Sequence, residues 1–314
     1  IPTRTIPPTP TVPSEPTQLP TETPLPGPTP FGGSGQIVFA ADGAGNPQLY
    51  IINADGTDLR KLTDISAGAC QPDWSRNDEI VFVSPCTGEQ DEYPGSNLWL
   101  INPDGSDLRQ LTFGTLGDYD PEWSPDGTQI VYTSVRTGFP QIHLLNVADG
   151  TDTPLTNGVT QGIRNIQPSF SPDGAQIVFI SVREGPYQVW LMNVDGSEQT
   201  RFSRSENRIN SWPTFTADGQ ALIFTQRETS VEVPKIIFSP LEEDGFVEII
   251  LVEDLIPRRA GVVSPDGMWV VFESWPLGSN HELFIMTLAG EQITPITNTV
   301  EAIFDFDPAW RPNP

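Results

Sequence analysis

Carboxylates are the side chains of this sequence whose type and spacing could do chemistry. Two Asp-x-Asp pairs occur, one at Asp118 and Asp120 and one at Asp305 and Asp307. Carboxylate oxygens are hard ligands that suit a calcium ion or a cationic peptide group. Asp120 and Asp307 are therefore candidate calcium ligands, and the alternative is that these carboxylates are simply solvated. The sequence suggests no other cofactor.

Other catalytic signatures are absent from the sequence. It contains no Gly-x-Ser-x-Gly elbow, no Walker motif and no dinucleotide fingerprint. His143 stands where other repeats carry Tyr50 or Trp99, which favours a packing role, and His281 lies at a loop end beside Glu282. We therefore predict that the chain is not an enzyme. A glycan-acting enzyme with an unrecognised carboxylate pair remains an alternative.

The segments that must position these carboxylates are β-hairpins. The stretch 120–132 reads Asp-Pro-Glu-Trp-Ser-Pro-Asp-Gly-Thr-Gln-Ile-Val-Tyr. Pro125 presets φ for a tight turn, and Gly127 accepts the positive φ that such a turn needs. The flanking segments therefore fold back on each other as two antiparallel strands.

This hairpin recurs along the chain at an almost constant interval. Its large apolar residue appears six times, with spacings of 49, 47, 45, 48 and 47 residues, at Trp74, Trp123, Phe170, Phe215, Val263 and Trp310. A second turn, typified by Asn-x-Asp-Gly, falls between successive hairpins, so each repeat contains four short strands. Six such repeats predict an all-β fold, a six-bladed β-propeller.

The two ends of the repeat region are out of phase in a complementary way. Residues 306–311 read as a first strand with nothing after it, and residues 36–40 read as a second strand with nothing before it. One blade is therefore expected to combine strands from both termini, which also hides two strand edges. The predicted domains are an extended arm with a glycine hinge at 1–35 and the propeller at 36–314.

The Pro-x-Trp-Ser-Pro-Asp-Gly signature resembles the TolB-like repeat, a WD40-like unit of six-bladed propellers in bacterial envelope proteins. The resemblance covers roughly residues 36–312, with departures at 76–78 and at Gly261. It implies protein partners and a location in the bacterial envelope. Within this fold, the residues just ahead of each apolar anchor should face the axis of the ring. The predicted channel mouth contains Gln71, Asp118, Asp120, Gln167, Trp212, Asp305 and Asp307.

Composition limits the partners and the compartment. The 314 residues include 41 acidic and 16 basic residues, a formal net charge of -25, which repels nucleic acid. No apolar run is long enough to span a bilayer.

Cys70 and Cys86 lie on either side of one predicted hairpin, so a disulfide is plausible and two free thiols are the alternative. A disulfide would place the chain outside the cytoplasm, at the cell surface or beyond. Because the sequence opens at Ile1, it is expected to be processed or a fragment.

Residues 1–30 differ from the rest of the chain because they contain 11 prolines and 8 threonines. This composition favours an extended polyproline II segment. One interpretation is a stalk or linker that carries O-linked glycans on its threonines. The candidate glycosylation sites are Thr3, Thr5, Thr9, Thr11, Thr17, Thr21, Thr23 and Thr29.

A second interpretation is that this arm docks on a protein surface. Its apolar residues recur every five to seven positions, close to two turns of polyproline II, and therefore lie roughly along one face. They are Ile1, Ile6, Val12, Leu19, Leu25 and Phe31. Docking on a neighbouring copy would build a head-to-tail filament, and docking on the same subunit remains open. The alternative function is a propeller that binds a peptide, a glycan or calcium at its channel mouth.

The longest insertion between strands, residues 85–96, is acidic and contains Glu89, Glu92 and Tyr93. An acidic insertion at the rim of a blade is usually a solvated loop. A cation site or a partner site is the alternative interpretation.

Overall fold

The computed structural model describes residues 35–43, 45–90, 92–158, 162–204, 207–228, 233–241, 247–276, 280–298 and 304–313. Across these ranges the backbone forms strands and turns, without a helix. Accordingly, no helix that could cross a bilayer occurs in the described ranges. The arm at 1–30 and Phe31 lie outside them, so the docking and glycosylation hypotheses for the arm stay predictions.

The strands are short and follow one another at regular intervals. The first half of the chain contains β1 (Gln36–Asp42), β2 (Gln48–Asn53), β3 (Arg60–Lys61), β4 (Cys70–Trp74), β5 (Ile80–Ser84), β6 (Asn97–Ile101), β7 (Arg109–Gln110), β8 (Asp118–Trp123), β9 (Gln129–Ser134), β10 (Gln141–Asn146) and β11 (Asp152–Pro154). The second half contains β12 (Asn165–Phe170), β13 (Gln176–Ser181), β14 (Gln188–Asn193), β15 (Thr200–Arg201), β16 (Ile209–Phe215), β17 (Ala221–Arg227), β18 (Lys235–Pro240), β19 (Ile249–Ile250), β20 (Arg258–Val263), β21 (Trp269–Ser274), β22 (Glu282–Thr287), β23 (Thr294–Pro295) and β24 (Phe304–Trp310).

These strands form six antiparallel four-stranded sheets, the blades of a propeller. Blade 1 has the order β24-β1-β2-β3, and blades 2 to 6 are β4–β7, β8–β11, β12–β15, β16–β19 and β20–β23. The predicted all-β six-bladed propeller is confirmed. Its closure is confirmed as well, because β1 pairs with β24, with Ile37 opposite Trp310.

The predicted Pro-Asp-Gly turns connect the first two strands of blades 3, 4 and 6, and an Ala-Asp-Gly turn does so in blade 5. In blade 3 the Gly127 N–H donates to the Ser124 carbonyl at 2.8 Å, and Gly127 has a φ of 70°. Asp126 holds the turn from the side, because its Oδ1 accepts the Thr128 N–H at 3.0 Å. The residues of the turn itself therefore account for this reversal.

The apolar core lies mainly between neighbouring blades. The closing junction shows how, because the buried Trp310 of blade 1 packs with Ile37 and with Trp269 of blade 6. Its indole Nε1 also donates to the Val262 carbonyl of blade 6 at 3.0 Å. Each blade thus obtains part of its core from the next.

The two cysteines form a disulfide between Cys70 and Cys86, with their Cα atoms 6.0 Å apart. Cys70 belongs to β4, and Cys86 begins the insertion that follows β5. Gly68 packs beside this bond so tightly that a side chain there would collide with the Cys86 carbonyl. The bond therefore anchors the insertion to the first strand of blade 2.

We expect the Trp310→Ala variant to lose about 3–5 kcal/mol of unfolding free energy, because it empties the junction between blades 6 and 1. Denaturant unfolding followed by tryptophan fluorescence measures this loss. Leu255→Ala is the matched control, since Leu255 is 86% exposed and its loss should change stability by less than about 0.5 kcal/mol. Equal stability of the two variants would contradict the closure of the ring through β24.

Candidate functional site: the channel and the lid-side cleft

A β-bulge with an unusual backbone conformation occurs in the first strand of every blade. At the bulge a non-glycine residue adopts positive φ, a conformation that costs roughly 1–2 kcal/mol for a residue with a side chain. The six residues and their φ angles are Gln71 (48°), Asp120 (52°), Gln167 (53°), Trp212 (46°), Ala260 (48°) and Asp307 (52°). All six line the central channel, and we call them the channel ring.

Each backbone N–H of the channel ring donates to a side chain of the preceding blade. Four of these acceptors belong to ring residues themselves. Thus Asp307 Oδ2 accepts from Gln71 at 3.2 Å, Gln71 Oε1 from Asp120 at 2.9 Å, Asp120 Oδ2 from Gln167 at 3.1 Å and Gln167 Oε1 from Trp212 at 2.8 Å. The hydrogen bonds therefore run from blade to blade around the axis.

Two ring residues cannot accept a hydrogen bond through their side chains. In those blades a residue on the second strand accepts it instead, which completes the circle of hydrogen bonds. Trp212 and Ala260 have no side-chain acceptor, so Thr225 Oγ1 accepts from Ala260 at 3.0 Å and Glu273 Oε1 accepts from Asp307 at 3.0 Å. Both substitutes occupy the same register, opposite the residue that precedes the bulge. Sequence reasoning missed Thr225 and Glu273, because nothing in the repeat pattern marks this compensation.

The ring hydrogen bonds bear on the calcium hypothesis. Asp120 Oδ1 accepts from Gln71 Nε2 at 2.7 Å, and its Oδ2 accepts from Thr133 Oγ1 at 2.9 Å as well as from the ring. One oxygen of Asp307, Oδ2, accepts the Gln71 N–H. Three of the four carboxylate oxygens thus face donors that an ion would have to displace. Calcium at Asp120 and Asp307 stays a prediction that this geometry does not favour.

Two further residues assigned to the channel mouth are placed inside the blades. Asp118 is 1% exposed, and its Oδ1 accepts from Ser134 Oγ at 2.6 Å. Asp305 is equally buried, and burial raises its pKa to about 6. In a regular strand, residues two positions apart lie on the same face. A bulge interrupts both β8 and β24, so Asp118 and Asp305 do not share the face of Asp120 and Asp307.

A second pair of carboxylates lines the channel beyond the ring. Asp73 Oδ2 accepts the Trp123 N–H at 2.7 Å, and Glu122 Oε1 accepts the Phe170 N–H at 2.8 Å. Both side chains line the same channel, whose volume is about 150 Å³. The sequence did contain a signal for them, since a polar residue stands between proline and the aromatic anchor in several copies of the hairpin.

Burial favours the protonated form of these channel carboxyls. Burial raises the pKa of Asp73 to about 7, and burial together with the neighbouring Asp73 charge raises the pKa of Glu122 to about 8. Burial and the charge of Glu273 raise the pKa of Asp307 to about 8. The channel therefore releases protons as the pH rises through the neutral range.

The described residues of the insertion, 85–90 and 92–96, reach from blade 2 towards blades 4 and 6, and we call them the lid. Its Tyr93 is 3% exposed and packs on Tyr119, with ring centroids 6.2 Å apart. Its Glu92 forms an ion pair with Arg164 of blade 4, and its Glu89 forms one with Arg259 of blade 6. The lid starts in blade 2 and therefore reaches across the ring instead of standing in solvent.

Arg259 is the most constrained cation at this face. Its guanidinium makes cation–π contacts with Trp212 and Trp275, at 5.1 and 5.4 Å from their ring centroids. Its Nε donates to Glu273 Oε2 at 2.8 Å. Packing and ion pairing together fix the orientation of Arg259.

His281 completes this cluster by stacking on Trp275, with centroids 4.3 Å apart. Burial and the charge of Arg259 lower the pKa of His281 to about 4, so the imidazole is neutral. Glu89, Glu273 and His281 bring donor atoms within 4.8 Å of one another, close enough to hold a metal ion. Arg259 already pairs with both carboxylates, so the arrangement is an ion-pair network.

His143 has the packing role that its repeat position suggests. It is 4% exposed and packs on Tyr132, with centroids 5.8 Å apart, and its Nδ1 lies 3.0 Å from Asp152 Oδ1. An imidazole that is only 4% exposed and packed on an aromatic ring is not accessible to a substrate.

Beside the lid, blades 4, 5 and 6 enclose a cleft of about 490 Å³. We call it the lid-side cleft. Its walls combine three arginines with three aromatic side chains: Arg164, Arg227, Arg259, Tyr187, Trp212 and Trp275. Among the described residues Arg227 has no ion-pair partner. A concentration of cations in a chain of net charge -25 is the clearest local departure from its overall electrostatics.

Comparison with known proteins agrees with this architecture. Residues 144–272, from blade 3 to blade 6, match the family described as the TolB beta propeller domain. The matched blades are TolB-like β-propeller repeats. Solved TolB from Acinetobacter baumannii superposes with a TM-score of 0.70 at 20% identity, over 91% of this chain and 69% of that one.

The same fold also occurs in enzymes. Kuenenia stuttgartiensis hydrazine synthase matches with a TM-score of 0.71 at 15% identity, over 90% of this chain and 48% of that one. An uncharacterized peptidase, YuxL of Bacillus subtilis, is 41% identical over 54 residues, which are 17% of this chain and only 8% of the peptidase. The TolB-like fold therefore does not by itself separate binding modules from enzymes.

We expect the unfolding free energy to fall as the pH rises from about 4 to about 8. The folded channel keeps protons on Asp73, Glu122 and Asp307 that the unfolded chain has lost, so their stabilisation is present at low pH and disappears through their folded pKa values. The slope is about 1.4 kcal/mol per pH unit for each proton released.

Denaturant titrations at several pH values measure this slope, and the double variant Asp73→Asn, Glu122→Gln should flatten it. Asp55→Asn is the control, because hydrogen bonds from Thr57 lower the pKa of that exposed carboxyl and it titrates below this window. A stability that rises between pH 4 and 8 would contradict the assignment.

Proposed function

We propose that this TolB-like propeller is a non-catalytic binding module outside the cytoplasm. Its lid-side cleft binds a segment of a partner protein. The TolB-like fold suggests a protein-interaction module. The observation that carries the proposal is the lid-side cleft, where arginines and large aromatic rings converge in a concave site. Arginine, tryptophan and tyrosine are the residues that contribute most to binding at protein interfaces.

The lining of the cleft favours binding over catalysis. Its described residues provide guanidinium groups, aromatic faces, amides and the hydroxyls of Ser211, Thr225 and Tyr187, but no carboxylate, histidine or cysteine. Such groups can orient a ligand. General acid–base catalysis needs a side chain whose pKa lies near neutral pH, and the described lining provides none. This composition supports a binding site that leaves its ligand unchanged.

The disulfide supports a location outside the cytoplasm. A bond such as Cys70–Cys86 persists in oxidising compartments and is rare in the reducing cytosol. The strongly negative surface and the threonine-rich arm fit a cell-surface or secreted protein that carries O-linked glycans. Glycans on the arm would also keep it extended and soluble.

A second candidate function is head-to-tail assembly through the arm. The observation that favours it is the near-regular spacing of six apolar residues in a proline-rich segment. An arm that docks on the next subunit makes a heterologous contact, and such contacts propagate into filaments unless the rotation closes a ring. Each propeller would then bind the arm of its neighbour, and the subunits would form a linear assembly.

We expect peptides selected by the intact chain from a random display library to bind at the lid-side cleft. Trp212→Ala should weaken the selected peptides at least tenfold in fluorescence anisotropy, because it removes one wall of the cleft. This variant should fold, since Ala260 occupies the equivalent bulge in blade 6. Arg60→Ala, on the outer strand β3, is the control. Selected peptides that bind both variants equally would place binding elsewhere.

We expect deletion of residues 1–30 to abolish self-assembly without unfolding the ring. Light scattering and electron microscopy of the full chain and the shortened chain measure assembly, and thermal unfolding confirms that the propeller is intact. A milder variant replaces Val12, Leu19 and Leu25 with serine and keeps the length of the arm. Assembly that survives both changes would rule out the arm as the connecting element.

A further inference from the structure

The lid already places two carboxylates on the arginines of the lid-side cleft. Glu89 pairs with Arg259 of blade 6 and Glu92 pairs with Arg164 of blade 4, and both arginines line the cleft. The two glutamates are three positions apart in the chain. A short acidic peptide segment of the protein itself therefore rests against this site.

We propose that the partner segment is an acidic peptide with two carboxylates about three residues apart, and that it competes with the lid for Arg164 and Arg259. This inference rests on the proposed function and specifies its ligand. Carboxylates recognise guanidinium groups through paired, charge-assisted hydrogen bonds, so a partner peptide satisfies the same donors that Glu89 and Glu92 satisfy now. The lid is thereby an intramolecular stand-in for the ligand.

Arg227 gives the partner an advantage over the lid. It lines the same cleft, it is partly exposed, and among the described residues it has no ion-pair partner. A peptide with a further acidic group gains a contact that the described lid residues, 85–90 and 92–96, do not make. Such a difference is required, since a ligand shifts an equilibrium only by its differential affinity for the two states.

Arg259 stays oriented when the lid leaves. Trp212 and Trp275 both contact its guanidinium, and its Nε donates to the buried Glu273 at 2.8 Å. These contacts do not involve the lid. The site therefore presents a preformed donor to an incoming carboxylate, which limits the ordering cost of binding.

Both ends of the lid are fixed, so its glutamates remain near the cleft even when they are displaced. Cys86 is bonded to Cys70 at one end. At the other end Ser96 Oγ donates to the carbonyl of Asp118 at 2.9 Å. A tethered competitor acts at a high effective concentration, and it must lower the apparent affinity for a free peptide.

The test measures binding of a labelled synthetic peptide that reproduces residues 88–95, Gly-Glu-Gln-Asp-Glu-Tyr-Pro-Gly, to the full chain by fluorescence anisotropy. We expect the double variant Glu89→Gln, Glu92→Gln to bind this peptide at least tenfold more tightly than the unmodified protein. Adding Arg227→Ala to the double variant should weaken binding at least tenfold. The double variant Glu198→Gln, Glu291→Gln is the matched control, because both glutamates are exposed and remote from the lid.

A second probe, in which Glu and Asp of the peptide are replaced by Gln and Asn, separates charge recognition from general peptide binding. Equal affinity of the two probes, or no gain in the Glu89→Gln, Glu92→Gln variant, overturns the acidic-ligand inference. If display-selected neutral peptides still require Trp212, the proposed function survives that failure. Should the double variant be unstable in thermal unfolding, the single variant Glu92→Gln carries the same comparison.

Discussion

The interaction on which the ring depends is the hydrogen bond from each bulge N–H to a side chain of the blade before it. A non-glycine residue with positive φ is unfavourable on its own, yet one occurs in every blade, from Gln71 to Asp307. The bulge turns its N–H out of the sheet ladder, where a buried donor without an acceptor is costly. The neighbouring blade supplies that acceptor, so the local conformation is stable only in the assembled ring.

This dependence explains why closure and function share residues. The acceptor for Asp307 is Glu273, and the same Glu273 holds Arg259 at the lid-side cleft. Asp307 in turn accepts from Gln71, the residue next to the disulfide-bonded Cys70. Hence the group that completes the ring also orients the central cation of the candidate binding site. Rigid support of this kind is what a preorganised site requires.

The sequence was sufficient for the architecture because the architecture is local and repeated. The Ser-Pro-Asp-Gly turn of blade 3 follows from Pro125 and Gly127 alone, and six copies at a period of 45 to 49 residues leave few alternatives. The pairing of β1 with β24 followed from the phase of the two ends. The bulge positions were also predictable as residues that face the axis, although their positive φ was not.

The candidate site was much less predictable, because it depends on contacts between residues far apart in the chain. Glu89 and Arg259 are in blades 2 and 6, and no periodic pattern connects them. The insertion looked like a solvated acidic loop because its charge could be read locally but its partners could not. Likewise Thr225 and Glu273 act as acceptors only because Trp212 and Ala260 lack one, a compensation visible only across two blades.

The position of a carboxylate, more than its number, decides what it does in this chain. Exposed turn residues such as Asp126 keep their charge, because hydrogen bonds from Ser124 and Thr128 lower the pKa of that carboxyl. Carboxyls inside the channel, such as Glu122, hold protons because burial disfavours their charge. At the lid-side face, where arginines are gathered, the lid glutamates form ion pairs. Because the chain as a whole is strongly negative, a cleft that gathers three arginines is a local exception, and the pairing of two of them with the lid glutamates supports an acidic ligand there.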